Sequence, residues 1–195
     1  MVGPFEADAA GTPLDPQERE GLIPTHVTTR EQLNELEAKN ILDAIGWAFK
    51  RKRNIIDENF LLGLHRRMFR KVWRWAGKYR ATERNLGVLP HKIQVDIRAL
   101  LDNVGYWTEN KTFPPDEIAL RFHHGLVLIH PFANGNGRWS RLASDILIVQ
   151  TGGTRFSWGG GADLQTPGED RDRYIAALKK ADGHEFGPLN EFARS

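Results

Sequence analysis

One histidine, two glycines and two arginines stand within twelve residues, His130-Pro131-Phe132-Ala133-Asn134-Gly135-Asn136-Gly137-Arg138-Trp139-Ser140-Arg141. An imidazole titrates near neutrality and can take a proton from an attacking hydroxyl. Gly135 and Gly137 tolerate positive φ and put no side chain in the way, so the backbone N–H groups around Asn136 can converge on one anion. Arg138 and Arg141, three residues apart, can lean over the same side of a first helical turn and offer two guanidinium forks. Together these groups suit a polyphosphate held beside a general base. The competing reading is a plain Asn-Gly turn between helices, with its arginines in solvent. Such a turn requires neither the preceding His-Pro-Phe nor the following pair of arginines. Two other phosphate loops do not fit, because no Gly-Lys-Ser/Thr ending is present and no predicted strand feeds a G-x-G-x-x-G.

Helices must position these groups. Apolar residues from Ile118 to Ile129 follow a helical period and become almost continuous at Leu126 to Ile129, as in a helix entering a core. Pro131 disfavours right-handed α conformation at the residue before it, so the helix should stop at His130 and leave its imidazole at a buried lip. Phe132 can anchor the turn. Arg138, Leu142, Asp145, Ile146 and Val149 suit a second helix, whose first turn exposes unpaired N–H groups and a positive dipole end.

Elsewhere, Thr28 or Thr29 can cap a long helix with Leu33, Leu36, Ile41, Ala44, Ile45 and Ala48 inward. Asp57 can cap a helix through Trp73, with His65 on its apolar face as a core histidine. Further helices are expected at Gln94–Thr108, Asp116–His130 and Asp170–Ala181, the last with Tyr174 inward. Gly77 breaks the pattern. From Lys78 to Val95 the helical period is lost and β-branched residues mix with Gly87 and Pro90, which predicts a short edge hairpin. Gly152-Gly153 closes the helix that follows the His130 loop and Trp158 to Gly161 reads as a flexible loop. Residues 1–24 read as an arm over the domain, with one helical turn at Asp15–Glu18. His123, His124 and His130 match no standard metal spacing, so they are expected to pack and not to hold zinc.

Composition narrows the function classes. At 195 residues the chain suits one well-buried core. It has no cysteine, which excludes disulfides and thiolate metal sites, and the absence of an apolar N-terminal run argues for a cytoplasmic protein without a membrane span. The net charge of +2 does not argue for nucleic acid. Basic residues do cluster at Lys50–Arg53, at Arg66–Arg84 and around the His130 loop, where they are expected to serve nucleotide phosphates.

The twelve residues resemble the signature HPFx(D/E)GNGRxxR of the Fic (Fic/Doc, Fido) family. The run LLGLHRRMFRKVWRWAGKYR at 61–80 and the tail RDRYIAALKKADGHEFGPLNEFARS resemble flanking parts of the same family, and the bacterial mobile mystery protein B subgroup in particular. The resemblance covers roughly residues 25–195. It implies a mainly α fold, a Fic-type helical bundle with one short β-hairpin flap at 78–95 against which the target protein docks by main-chain pairing. The implied division is an N-terminal arm (1–24) and one domain (25–195), with 25–53 as a regulatory helix and 57–195 as the catalytic core.

The implied reaction moves AMP from ATP to a Ser, Thr or Tyr hydroxyl of a target protein. His130 would be the base, Gly135, Asn136 and Gly137 would cradle phosphates, and Arg138 and Arg141 would hold the terminal phosphates. Phosphotransfer, UMP transfer or de-AMPylation on the same fold remain open alternatives, as does a non-catalytic nucleotide-binding module. Asn134 departs from the family's Asp or Glu, which holds Mg2+ against the nucleotide, so metal affinity is expected to fall. The family's inhibitory motif (S/T)xxxE(G/N) is also incomplete, with Leu33 and Ala38 flanking Glu37. Glu37 is nevertheless the residue expected to reach Arg141 and take the place of the terminal phosphate. Glu35, about 200° away around the helix, is the reserve. An antitoxin-like regulator protein is the other implied source of inhibition.

Overall fold

The structure is a computed structural model that describes residues 19–162 and 164–195. The helical turn expected at Asp15–Glu18 lies outside the described residues. Among the described residues seven α-helices form: α1 (Arg30–Phe49), α2 (Glu58–Phe69), α3 (Ile93–Asn110), α4 (Pro115–Ile129), α5 (Asn136–Gln150), α6 (Glu169–Asp182) and α7 (Gly187–Arg194). The centre is the pair α4 and α5, joined by the His130 loop. Helices α3 and α7 pack on α4, α2 packs on α5, and α1 lies along α2 and touches α5. Among the described residues no helix is long and apolar enough to cross a membrane.

The caps follow from the sequence. Thr29 accepts from the Gln32 N–H while the Gln32 side chain returns to the Thr29 N–H, a reciprocal capping box that starts α1. Asp57 accepts from Asn59 N–H at 2.9 Å and starts α2. Pro115 opens α4, where its missing N–H is no loss. The buried side of α1 is Leu33, Glu37, Asn40, Ala44 and Ala48, so a carboxylate sits in the middle of the stripe that faces the core.

Two expectations are corrected. Helix α2 stops at Phe69 and does not run to Trp73; residues 70–77 form successive turns. The backbone N–H groups of both Val72 and Trp73 return to the Phe69 carbonyl, which ends the regular ladder and swings Trp73 across to α1. The hairpin at 78–95 is not formed, and no strand occurs among the described residues, where Leu22 and Trp73 make an isolated antiparallel bridge. Instead residues 78–89 are an irregular loop and Pro90–Lys92 a single 3-10 turn before α3.

Arg80 accounts for the irregular loop. Its side chain is buried and donates to the carbonyls of His130 (2.7 Å), Thr82 (2.8 Å) and Val88, so it consumes acceptors that strand pairing would need. The loop from Trp158 to Gly161, expected to be flexible, is tied to the end of α7. Trp158 N–H donates to Ala193 O at 3.0 Å and Gly160 N–H to Ser195 O at 2.8 Å.

Candidate active site

His130 is the C-cap of α4, with φ 50° and ψ 59°. Left-handed backbone at a non-glycine residue costs free energy and persists where its surroundings enforce it. Here Pro131 excludes the helical alternative, and Arg80 fixes both ends of the turn, its N–H on Pro131 O at 2.9 Å and its side chain on His130 O. Gly87 lies against the imidazole stem; a Cβ there would come 2.6 Å from the His130 Cβ, which demands glycine. Burial pulls the His130 imidazole down to about pKa 4, with Arg80 and Arg84 lowering it further and a backbone contact at Val127 opposing them. The ring is therefore neutral near pH 7 and able to accept a proton.

The loop after His130 is built from the inside. Phe132 is fully buried, stacked on His65 at 3.6 Å between ring centroids and edge-on to Trp139 at 4.8 Å. His65 Nδ1 accepts from Gly77 N–H at 2.9 Å, so its Nε2 carries the hydrogen and donates to Asn134 O at 3.1 Å. The expected core histidine is thus also the brace beneath the loop. Burial holds it to about pKa 3, which keeps this tautomer neutral.

Asn136 faces inward as well. Its side-chain oxygen accepts from Phe132 N–H at 2.9 Å and its amide donates to Phe132 O at 2.8 Å. Only the backbone of Asn136 is left to meet a phosphate. Gly135 takes φ 78°, and a Cβ there would collide with the Phe69 ring at 2.5 Å. Gly137 does not take positive φ; it lies in the first turn of α5, and a Cβ there would stand 3.6 Å from an Arg141 nitrogen. The Asn134 side-chain oxygen accepts from Gly135 N–H at 2.5 Å.

The two arginines part company. Arg138 donates to Glu37 Oε2 at 2.7 Å, and Glu37 Oε1 accepts from Trp73 Nε1 at 2.5 Å. Glu37 is 3% exposed, so its carboxylate is a buried anion fixed between an arginine and an indole. Glu35 is exposed. Arg141 instead lies over the Tyr174 ring, 5.7 Å from its centroid. The expected pairing of Glu37 with Arg141 is corrected to Arg138, and the arginines do not lean over one side. Residues three apart differ by about 60° around a helix, enough to send one toward α1 and the other toward α6.

Tyr174 donates to or accepts from His123 Nε2 at 2.8 Å, and His124 Nε2 meets Asp182 at 2.8 Å, so both histidines pack against protein partners. Trp73 and Arg80 are the site residues that sequence reading missed. Both lie in the 61–80 run, yet nothing in their spacing marks the contacts they make.

Two buried histidines and the half-buried His130 give the protein a defined acid sensitivity. His65 and His123 are held to about pKa 3 by burial and His130 to about 4, all below the ordinary 6.5. The unfolded chain binds these protons at a higher pH than the folded one, so the stability they carry is full above pH 6.5 and is lost as pH falls toward 4. His65 and His123 alone should remove about 2.7 kcal/mol per pH unit in that window. For a chain of this size that lowers Tm by about 5–10 °C per unit. Thermal unfolding followed from pH 7 to pH 4.5 checks this, and a flat Tm contradicts it.

A divalent cation would find little here. Among the described residues no group of three or more His, Cys, Asp or Glu side chains could hold one. Glu37 is engaged by Arg138, and Asn134 offers one neutral oxygen already bonded to Gly135. This donor set does not by itself make a hard-cation site.

Comparison with known proteins agrees with this geometry. Residues 55–148 match the model of the Fic/DOC family. The chain is 33% identical over 122 residues to protein adenylyltransferase fic-1 of Caenorhabditis briggsae, and 31% identical over 126 residues to that of Caenorhabditis elegans. Each match covers 61% of this chain and 22% of the relative, so the chain spans about a fifth of the length of these curated relatives. Residues 134–508 of Caenorhabditis elegans Fic-1 superpose with a TM-score of 0.65 at 25% identity, covering 90% of this chain and 51% of that one. BepC of Bartonella tribocorum, solved with bound AMPPNP, superposes with a TM-score of 0.68 at 17% identity, covering 92% of this chain and 97% of that one, a likeness of fold. With the signature loop between α4 and α5 and the family match across it, residues 55–148 form a Fic/DOC family domain.

Proposed function

We propose that the protein is a Fic-type adenylyltransferase that moves AMP from ATP to a Ser, Thr or Tyr hydroxyl of a target protein. The observation that carries this reading is a buried carboxylate, Glu37, bonded to Arg138 at the open N-terminus of α5, one loop away from a neutral imidazole. An arginine at such a terminus suits a phosphate, and the carboxylate stands in for one. In the working state the target hydroxyl attacks the α-phosphorus, His130 takes its proton, and pyrophosphate leaves. The N–H groups at Asn136 and Gly137, and that of Gly135 once released from Asn134 Oδ1, stabilise charge on the phosphates, and Arg138 and Arg141 hold the terminal ones. Helix α1, within 25–53, is the regulatory element and 57–195 the catalytic core. Inhibition from within the chain makes a separate antitoxin unnecessary for the resting state. The target lies along the loop 78–89, whose anchor at Arg80 joins it to His130.

ATP labelled at the α- or the γ-phosphate, incubated with the protein and a cell lysate, tests the reaction. Transfer of the α label alone is expected; transfer of the γ label identifies phosphotransfer instead. Asn134→Asp adds a negative charge beside the phosphates and is expected to raise both Mg2+ affinity and transfer rate, because a carboxylate is the better ligand for a hard cation. Titrating Mg2+ against transfer rate checks this. An unchanged curve would mean that Asn134 serves the loop through its bond to Gly135 N–H and no metal.

A further inference from the structure

Between Lys50 and Arg74 the chain carries nine lysines and arginines and two carboxylates, although its whole net charge is +2. The fold brings both ends of this stretch together. The last turns of α1, the linker after it and the outer side of α2 enclose a groove of about 520 Å³ lined by Trp47, Phe60, Arg66, Arg67 and Arg70. Trp47 and Phe60 stack at 5.7 Å, and the Arg53 and Arg67 guanidinium carbons lie 3.8 and 4.2 Å from the Trp47 ring centre. Among the described residues, neither Arg66 nor Arg67 nor Arg70 pairs with a carboxylate. Asp57, at one end of the groove, is engaged in capping α2. Arg53 adds its own evidence of crowding, since burial and then the neighbouring Arg51 and Arg67 charges lower its pKa.

We propose that this groove is a second binding site, separate from the His130 site, that takes a single nucleic-acid strand by its phosphate backbone. The cations facing the groove are arginines, whose planar forks match phosphate oxygens in pairs, and Arg67, with Arg53 beside it, is braced on Trp47 and so partly ordered before a ligand arrives. Arg66 and Arg70 are one helical turn apart, about 5–6 Å, a spacing that lets each meet a different phosphate. The usual platform for stacking a base is covered. The Trp47 ring is already covered by guanidinium groups and Phe60, and asparagine or glutamine side chains that could read base edges are limited to Asn59 at the rim. Binding should therefore be insensitive to sequence and strongly dependent on salt. The modest overall charge concealed this, because the basic segments are offset by acidic residues elsewhere on the chain.

Fluorescence anisotropy of a labelled oligothymidine of about 16 nucleotides, added to the full chain, tests the proposal. Binding at low salt is expected, unaffected by excess ATP. The double variant Arg66→Glu, Arg70→Glu should weaken it at least tenfold and flatten the log K against log salt slope by about 1.4, two phosphates at about 0.7 each. The charge-matched control Lys92→Glu, Lys179→Glu, exposed positions away from the groove, should keep the parent affinity. Adenylyl transfer should persist in both variants, which separates this site from the one around His130. Absence of binding, equal loss in the control, or displacement by ATP would overturn the proposal. Displacement by polyglutamate as effective as by unlabelled oligonucleotide would overturn it too, and would assign the groove to an acidic protein surface.

Discussion

Replacing His130 by alanine is expected to lower adenylyl transfer by roughly two to four powers of ten, the contribution of a positioned general base, while ATP still binds. The imidazole is placed for a proton and not for a phosphate. It is neutral because burial holds it to about pKa 4, so the rate should not depend on its protonation between pH 5 and 8 and should fall only as pH approaches 4. Alanine is an imperfect probe, since position 130 has φ 50° and a left-handed alanine adds roughly 1–2 kcal/mol of backbone cost. His130→Asn is the companion variant, because asparagine tolerates that conformation and supplies no base. Equal loss of transfer in both variants, with ATP binding retained in each by calorimetry, is the expected outcome. Loss of ATP affinity in the asparagine variant would make His130 a binding residue.

The second large effect is a gain. Glu37→Gln keeps the shape of the side chain and removes its charge, so Arg138 loses its buried counter-ion and becomes available to phosphate. A hydrogen bond to a charged group contributes about 1.5–3 kcal/mol. ATP affinity and auto-modification should therefore rise by roughly 10- to 100-fold. The same substitution should destabilise the free protein, because a partly buried guanidinium without its partner is costly, and ATP should restore more Tm in the variant than in the parent. Activity up and stability down together distinguish a blocking contact from a merely structural one. Glu35→Gln, at an exposed position, should change neither.

Much of this contact was legible. The resemblance to the family's inhibitory motif put Glu37 ahead of Glu35, and in α1 Glu37 is buried with Leu33, Ala44 and Ala48 while Glu35 is exposed. The partner of Glu37 was not legible, because the choice between Arg138 and Arg141 depends on where α1 and α6 stand around the first turn of α5. The end of α4 at His130 followed from Pro131 alone. The hairpin expected at 78–95 failed for a reason no propensity carries. Arg80 donates to three backbone carbonyls of its own neighbourhood, and a strand reading assumes that such carbonyls are free to pair. The basic groove was similarly hidden, since Arg53 and Arg67 meet on Trp47 only once α1 and α2 have packed.

The account rests on a base at His130 behind a block at Glu37, and one comparison isolates it. Glu37→Gln and the double variant Glu37→Gln, His130→Asn are incubated with ATP labelled at the α-phosphate, and protein-bound label is measured for each. Strong labelling of the single variant, well above the unmodified protein, with none in the double variant is the expected result. Equal labelling of the two variants, or labelling of the unmodified protein that matches Glu37→Gln, would contradict it.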